Sequence, residues 1–241
     1  MPIGVIVNVG MVIVGGIIGT LIGPGLSEEF KENLNCVFGA CAMAMGISSI
    51  VLMKNMPAVI LAVILGTVIG LVIHLGQKIQ IAGLGMQKMM SKMLKSKVES
   101  DIEYKTTMVT AIVLFCSSGT GIYGSIVSGM TGDHSILLAK SILDMPTAMI
   151  FACTLGVTTC AIAIPQIVIF LGLFFLAGVI YPLCTPEMIG DFKACGGILL
   201  LATGFRMIKV KEFPIADMIP AMVLVMPVSY LWSTYILPLV G

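Results

Sequence analysis

From Ile3 to Gly23 the chain carries no charged side chain, and a helix of that length crosses the roughly 30 Å hydrocarbon core of a bilayer. Comparable runs follow at Cys36 to Met53 and at Pro57 to Gly76, the latter opened by a proline suited to a first helical turn. With 58% hydrophobic and 10% charged residues, the chain departs from soluble domains, whose charged share is about 25%. The expected class is an all-α integral membrane protein with the lipid bilayer as its solvent. Lys+Arg 13 against Asp+Glu 12 leaves no basic or acidic excess, so no nucleic-acid partner is implied. The seven cysteines form neither a CxxC pair nor a metal-ligand cluster, and they read as small buried hydrophobes.

No basic n-region or A-x-A cleavage site accompanies the first run, which is therefore expected to be a retained span. Gly15, Gly19 and Gly23 recur every four residues and put a small-residue stripe on one helix face. A second backbone can approach there, and a homodimer is one arrangement that would use it. Asn8 breaks the apolar pattern, because an amide in hydrocarbon needs a partner.

Ser27 to Asn35 begins like a helix N-terminus, with Ser27 as cap and Glu28 and Glu29 in the first turn, and fits a short surface helix. Between Gln77 and Ser100, Lys78, Lys88, Lys92, Lys95 and Lys97 alternate with Ile, Leu and Met at helical spacing, the pattern of a basic amphipathic helix on a membrane surface. Short lysine-rich connections stay cytoplasmic, which places the N-terminus outside. Arg206, Lys209 and Lys211 then also fall inside, in a plan of about eight transmembrane helices with both termini out.

Aligning Leu26 onward with Cys184 onward pairs Ser27 with Thr185, Glu29 with Glu187, Gly39 with Gly197 and Gly46 with Gly204, each at an offset of 158 (197 minus 39). Met56 onward resembles Ile219 onward at 163 (219 minus 56). Opposite starting sides would make the two copies an inverted repeat, common in secondary transporters with sites near the midplane. The expectation is one membrane domain over 1–241. It comprises a first helix triplet (1–76), the basic amphipathic helix (77–100), central interrupted helices (101–160) and a second, inverted triplet (161–241).

The centre holds the chemistry. Ser117, Ser118, Gly119, Thr120 and Gly121 interrupt the fourth span, since glycines lower helix stability by roughly 1 kcal/mol each and serines compete for backbone bonds. An opened helix offers carbonyls to a cation and N–H groups to an anion. A kink serving only packing competes with that reading. In the fifth span Lys140 and Asp144, at i and i+4, flank Ser141, and Pro146 is expected to interrupt the helix just beyond. Such charges cost about 2.5–3.5 kcal/mol each near a membrane centre, which makes them functional candidates. A structural Lys140–Asp144 pair is the alternative. Asp133 and His134 are expected in a solvated turn. Glu187, Asp191 and Lys193 are expected at the outer surface, before a short seventh span from Ala194 to Phe205, and Pro220 and Pro227 should break the eighth.

Phe115, Cys116, Gly124, Ser125, Ile126, Gly129, Gly132, Asp133, Leu137, Leu138, Lys140, Ser141, Leu143, Asp144, Phe151, Ala152, Thr154, Leu155 and Gly156 together resemble the YqgA family of bacterial membrane proteins, domain of unknown function 554. Asn8, Gly15 and Gly16 fit the family's opening. The chain departs from the family pattern at Ser118 and Gly119, in place of Gly-Pro, and at Leu171, in place of Gln before Gly172. The resemblance implies a multi-pass protein of the bacterial inner (plasma) membrane that moves a small ion, with sodium a candidate.

The function expected from these residues is transport of a small ion or solute, coupled to Na+ or H+, between the inverted triplets. Asp144 would bind the ion, with Lys140, Ser141, Asn8 and the stretch from Ser117 to Gly121 around it. Na+ at Asp144 is the only metal or cofactor called for. A cation channel needs the same ligands in an open file, and a membrane scaffold or sensor needs only the ion pair. No nucleophile with a base, zinc motif or phosphate loop points to an enzyme.

Overall fold

The computed structural model describes residues 1–22, 27–94, 102–116 and 118–240. Gly23, Ser117, Lys95 and Lys97 lie outside them. Every regular element among the described residues is a helix. The longer ones are α1 (Ile3–Ile22), α2 (Glu28–Ile50), α3 (Met56–Val72), α4 (Leu75–Leu94), α5 (Ile102–Cys116), α6 (Gly119–Thr131), α7 (Ser135–Leu155), α8 (Ala163–Ile180) and α9 (Pro186–Met207). Two short helices, α10 (Ile215–Met218) and α12 (Leu237–Val240), flank α11 (Pro220–Leu231) and a π-turn at Trp232–Ile236. A 3-10 segment, Gly156–Ile162, joins α7 to α8.

The exterior is that of a protein dissolved in lipid. On α1 the buried face is Val5, Asn8, Val9, Val12, Gly15, Gly16 and Gly19, whereas Ile6, Ile13 and Ile17 point outward. A water-soluble helix turns its polar residues outward; here Asn8 and the glycines share the inner face with valines, and isoleucines face the acyl chains. Among the described residues six helical stretches are long and apolar enough to cross a membrane, or seven if the broken pair Met56–Val72 and Leu75–Met89 counts as one span. One of the six, Ser135–Leu183, is 49 residues long and contains both α7 and α8. At ~1.5 Å per residue it is more than twice as long as a roughly 30 Å core is thick. The expectation of about eight spans differs from this count at those two places.

The chain gathers into two compact units, Met1–Asn35 with Gln77–Gly178, and Cys36–Gly76 with Val179–Gly241. Each sequence triplet thus contributes to both. In the first unit, α1 and α7 make the most extensive pairing. A Cβ on Gly15 would overlap the Met145 carbonyl oxygen and lie 2.9 Å from Ala148 Cβ; one on Gly19 would overlap the Met149 carbonyl. At Gly15 and Gly19 the expected close backbone approach is therefore made by α7 of the same chain. Gly15→Leu is expected to destabilise the fold by about 1–3 kcal/mol or more through overpacking. Gly10→Leu, at a site with no heavy atom within 4 Å, should stay within about 0.5 kcal/mol. Thermal unfolding in detergent compares the two.

In the second unit α2 and α9 cross through reciprocal glycines. A Cβ on Gly39 would lie 3.0 Å from Gly204 O, and one on Gly204 2.7 Å from Gly39 O; Gly46 and Gly197 meet in the same way, at 2.7 and 2.6 Å. At the offset of 158, Gly39 corresponds to Gly197 and Gly46 to Gly204. Each glycine therefore touches the residue that this offset pairs with the other one.

Several local expectations change. Ser27 does cap, with the Phe30 N–H donating to its hydroxyl at 3.2 Å, but the helix it opens runs unbroken from Glu28 to Ile50 and is not a separate surface helix. Pro146 lies inside α7 without ending it. A proline removes one backbone donor, and neighbouring helices make that tolerable in membranes; here α1 packs on α7 through Gly15 and Gly19, on either side of the proline in sequence. Pro227 likewise sits within α11. The seventh span is not short, because α9 takes in Glu187, Asp191 and Lys193. Asp191 is fully buried, so it is not a surface residue. Its carboxylate accepts from Lys54 N (2.7 Å), Asn55 N (2.8 Å), Asn55 Nδ2 (2.9 Å) and Ser229 Oγ (2.7 Å). Among the cysteines, Cys116 and Cys195 are buried as expected, while Cys36 and Cys41 are exposed.

Candidate functional site

The interruption of the fourth span is real: α5 ends at Cys116 and α6 begins at Gly119. Ser118 has extended backbone angles and caps α6, accepting from Gly121 N at 3.1 Å. Serine is favoured here because its hydroxyl satisfies one of the orphan N–H groups of a new helix. Gly121 is required sterically, since a Cβ would run into the ring of Phe170 on α8. Thr120 is buried in the first turn of α6.

On α7, Lys140 and Asp144 are 4% and 7% exposed. Lys140 Nζ lies 2.8 Å from Asp144 Oδ1 and 2.7 Å from Oδ2, and 6.0 Å from the ring centroid of Phe115, next to the end of α5. Asn8 Nδ2 of α1 donates to Asp144 Oδ2 at 2.8 Å. Gln166 Nε2 of α8 donates to Asn8 Oδ1 at 2.9 Å. Asn8 and Gln166 are both fully buried. Three helices thus hold one line of hydrogen bonds, Lys140 to Asp144 to Asn8 to Gln166. Ser141 is buried too, but its hydroxyl donates to Leu137 O at 2.6 Å within its own helix and does not join the line.

The direction of the line follows from chemistry. An ionised carboxylate only accepts, so Asn8 must turn its amino group to Asp144 and its carbonyl oxygen to Gln166. Gln166 must then donate, which leaves Oε1 as the free end. That oxygen is buried and has no hydrogen-bond partner among the described residues. An open acceptor suits a cation or a hydrogen-bond donor and disfavours an anion. The ion pair cancels its own charge, so the site as a whole is neutral. Among the described residues no three His, Cys, Asp or Glu side chains converge; the oxygens on hand are those of Asp144, Asn8 and Gln166.

Residues 3–230 match the family model described as "Protein of unknown function (DUF554)". The chain belongs to the DUF554 family. It is 43% identical to "Uncharacterized protein YqgA" of Escherichia coli (strain K12), over 98% of this chain and 99% of that one. It is 27% identical to "Uncharacterized membrane protein YdfK" of Bacillus subtilis (strain 168), over 92% and 93% respectively. No solved structure matches the chain. Residues that carried the likeness to DUF554 proteins hold particular geometry here. Gly132 closes α6 at φ 72° and Gly156 closes α7 at φ 59°, left-handed values that glycine adopts without strain.

Of the expected site residues, Asn8 and Lys140 both meet Asp144, and Phe115, beside the end of α5, lies near Lys140. Ser117 lies outside the described residues. Asp133 is exposed and His134 partly so, at the start of α7, as expected. Gln166 was not singled out from the sequence, although a carboxamide inside an apolar run carries the same signal as Asn8. The two residues are also separated by 158 (166 minus 8), the offset at which Leu26 onward aligns with Cys184 onward.

Proposed function

We propose that this membrane protein carries a small cation or cationic solute, Na+ or H+ among them, and that Asp144 is its principal binding group. The observation that supports this most is the buried line from Lys140 to Gln166, which ends in an acceptor without a partner among the described residues. Ionisable groups within a membrane are costly, at roughly 2.5–3.5 kcal/mol each on insertion scales, and tend to mark ion or substrate pathways. The helix break supplies carbonyl and N–H groups that an unbroken helix would keep for itself. Reciprocal packing of α2 on α9 suits a carrier built on inverted copies.

The test is reconstitution in liposomes with sodium and proton flux measured under imposed gradients. Asp144→Asn removes the only negative charge in the line and is expected to lower flux at least about tenfold, the equivalent of ~1.4 kcal/mol of binding. Unimpaired flux in that variant would end the role given to Asp144. A second reading has its own support. Both oxygens of Asp144 are occupied by Lys140 and Asn8, which is also what a purely structural clasp needs. A clasp predicts no flux from well-folded wild-type protein.

A further inference from the structure

We infer that Gln166 is a cation ligand, its Oε1 taking a monovalent cation, bare or carrying its water. This rests on the carrier reading above and adds to it a residue and a ligand class. Gln166 is fully buried and its Oε1 has no partner among the described residues. Leaving such an oxygen unpaired in a dry interior is unfavourable unless something else visits it. The other three members of the line hold Gln166 in one orientation, because reversing its amide would set its oxygen against the Asn8 oxygen. The free end is therefore always an acceptor.

The surroundings give the class. Phe170, one helical turn after Gln166 on α8, packs on Gly121, in the first turn of α6 beyond the break. Ser118 caps that turn with its hydroxyl. The open end of the line is a neutral carboxamide oxygen, and the only carboxylate in the line already faces Lys140. Calcium and magnesium sites depend on carboxylates and many oxygens, so this one fits a single charge. Gln166 and Asn8 hold corresponding positions in the two copies yet differ in role, Asn8 bridging and Gln166 ending the line.

Sodium-dependent flux is measured in proteoliposomes at increasing sodium chloride, with N-methylglucamine chloride keeping ionic strength constant. Gln166→Leu is expected to raise half-saturating sodium at least about tenfold. Gln166→Asn, which keeps the carboxamide but draws its oxygen back by one methylene, is expected to raise it by a smaller factor. A merely structural Gln166 would reduce the amount of folded protein and leave half-saturation where it was. Should Gln166→Leu fail to fold, Gln166→Asn alone decides: an unchanged half-saturation overturns the inference and leaves the carrier reading standing. Folded wild-type protein that shows no saturable flux with sodium, lithium or potassium removes both.

Discussion

Lys140→Met alone is expected to destabilise the protein by about 3–5 kcal/mol, the cost of leaving a buried carboxylate without its counter-charge. Asp144 would keep only the Asn8 amide, while remaining 7% exposed among apolar helices. Lys140→Met with Asp144→Leu should recover most of that loss, because a buried pair replaced by apolar side chains of similar volume is often neutral or stabilising. Urea or thermal unfolding in detergent gives the coupling. Equal destabilisation in the single and double variants would show that the two charges do not act as a pair. The double variant also separates the functional readings. If it folds and carries no ion where the wild type does, the charges are there for transport.

Asp191→Ala is expected to cost on the order of 4 kcal/mol, located in the second unit. Removing the carboxylate strands the Lys54 and Asn55 backbone N–H groups and the Ser229 hydroxyl, at roughly 1–3 kcal/mol for each buried group left unpaired. Asn55 Nδ2 keeps one partner, Ser233 Oγ, at 3.0 Å. The charge also sits at the N-terminus of α3, where the helix dipole favours it. Asn55 makes no side-chain cap to its own helix, so Asp191 of α9 does that work from across the unit. Asp191→Asn, which retains one oxygen, should lose about half as much. Loss of stability in Asp191→Ala below about 1 kcal/mol would mean that water reaches those donors after all.

Asn8, Lys140 and Asp144 were legible in the sequence because polar groups in long apolar runs have few ways to be satisfied. The break at Ser118 and Gly119 was legible for a related reason: hydroxyls and glycines together weaken a helix locally. Pro146 misled, because its effect depends on what packs against the helix, and α1 keeps α7 continuous there. Asp191 misled as well. Close to Glu187 and Lys193 it reads as an interfacial residue, whereas its donors come from Lys54, Asn55 and Ser229, distant in sequence.

By itself, then, the sequence determined the helical membrane class, the location of the polar residues and the glycine stripes, all of which follow from local composition and a 3.6-residue period. Tertiary structure alone decided the partners. Gly15 and Gly19 meet α7, Asn8 bridges Asp144 to Gln166, and one oxygen of Gln166 is left without a partner among the described residues. The physical reason is that a helix pattern specifies which face must be covered or satisfied but carries no information on which distant backbone or side chain will do it.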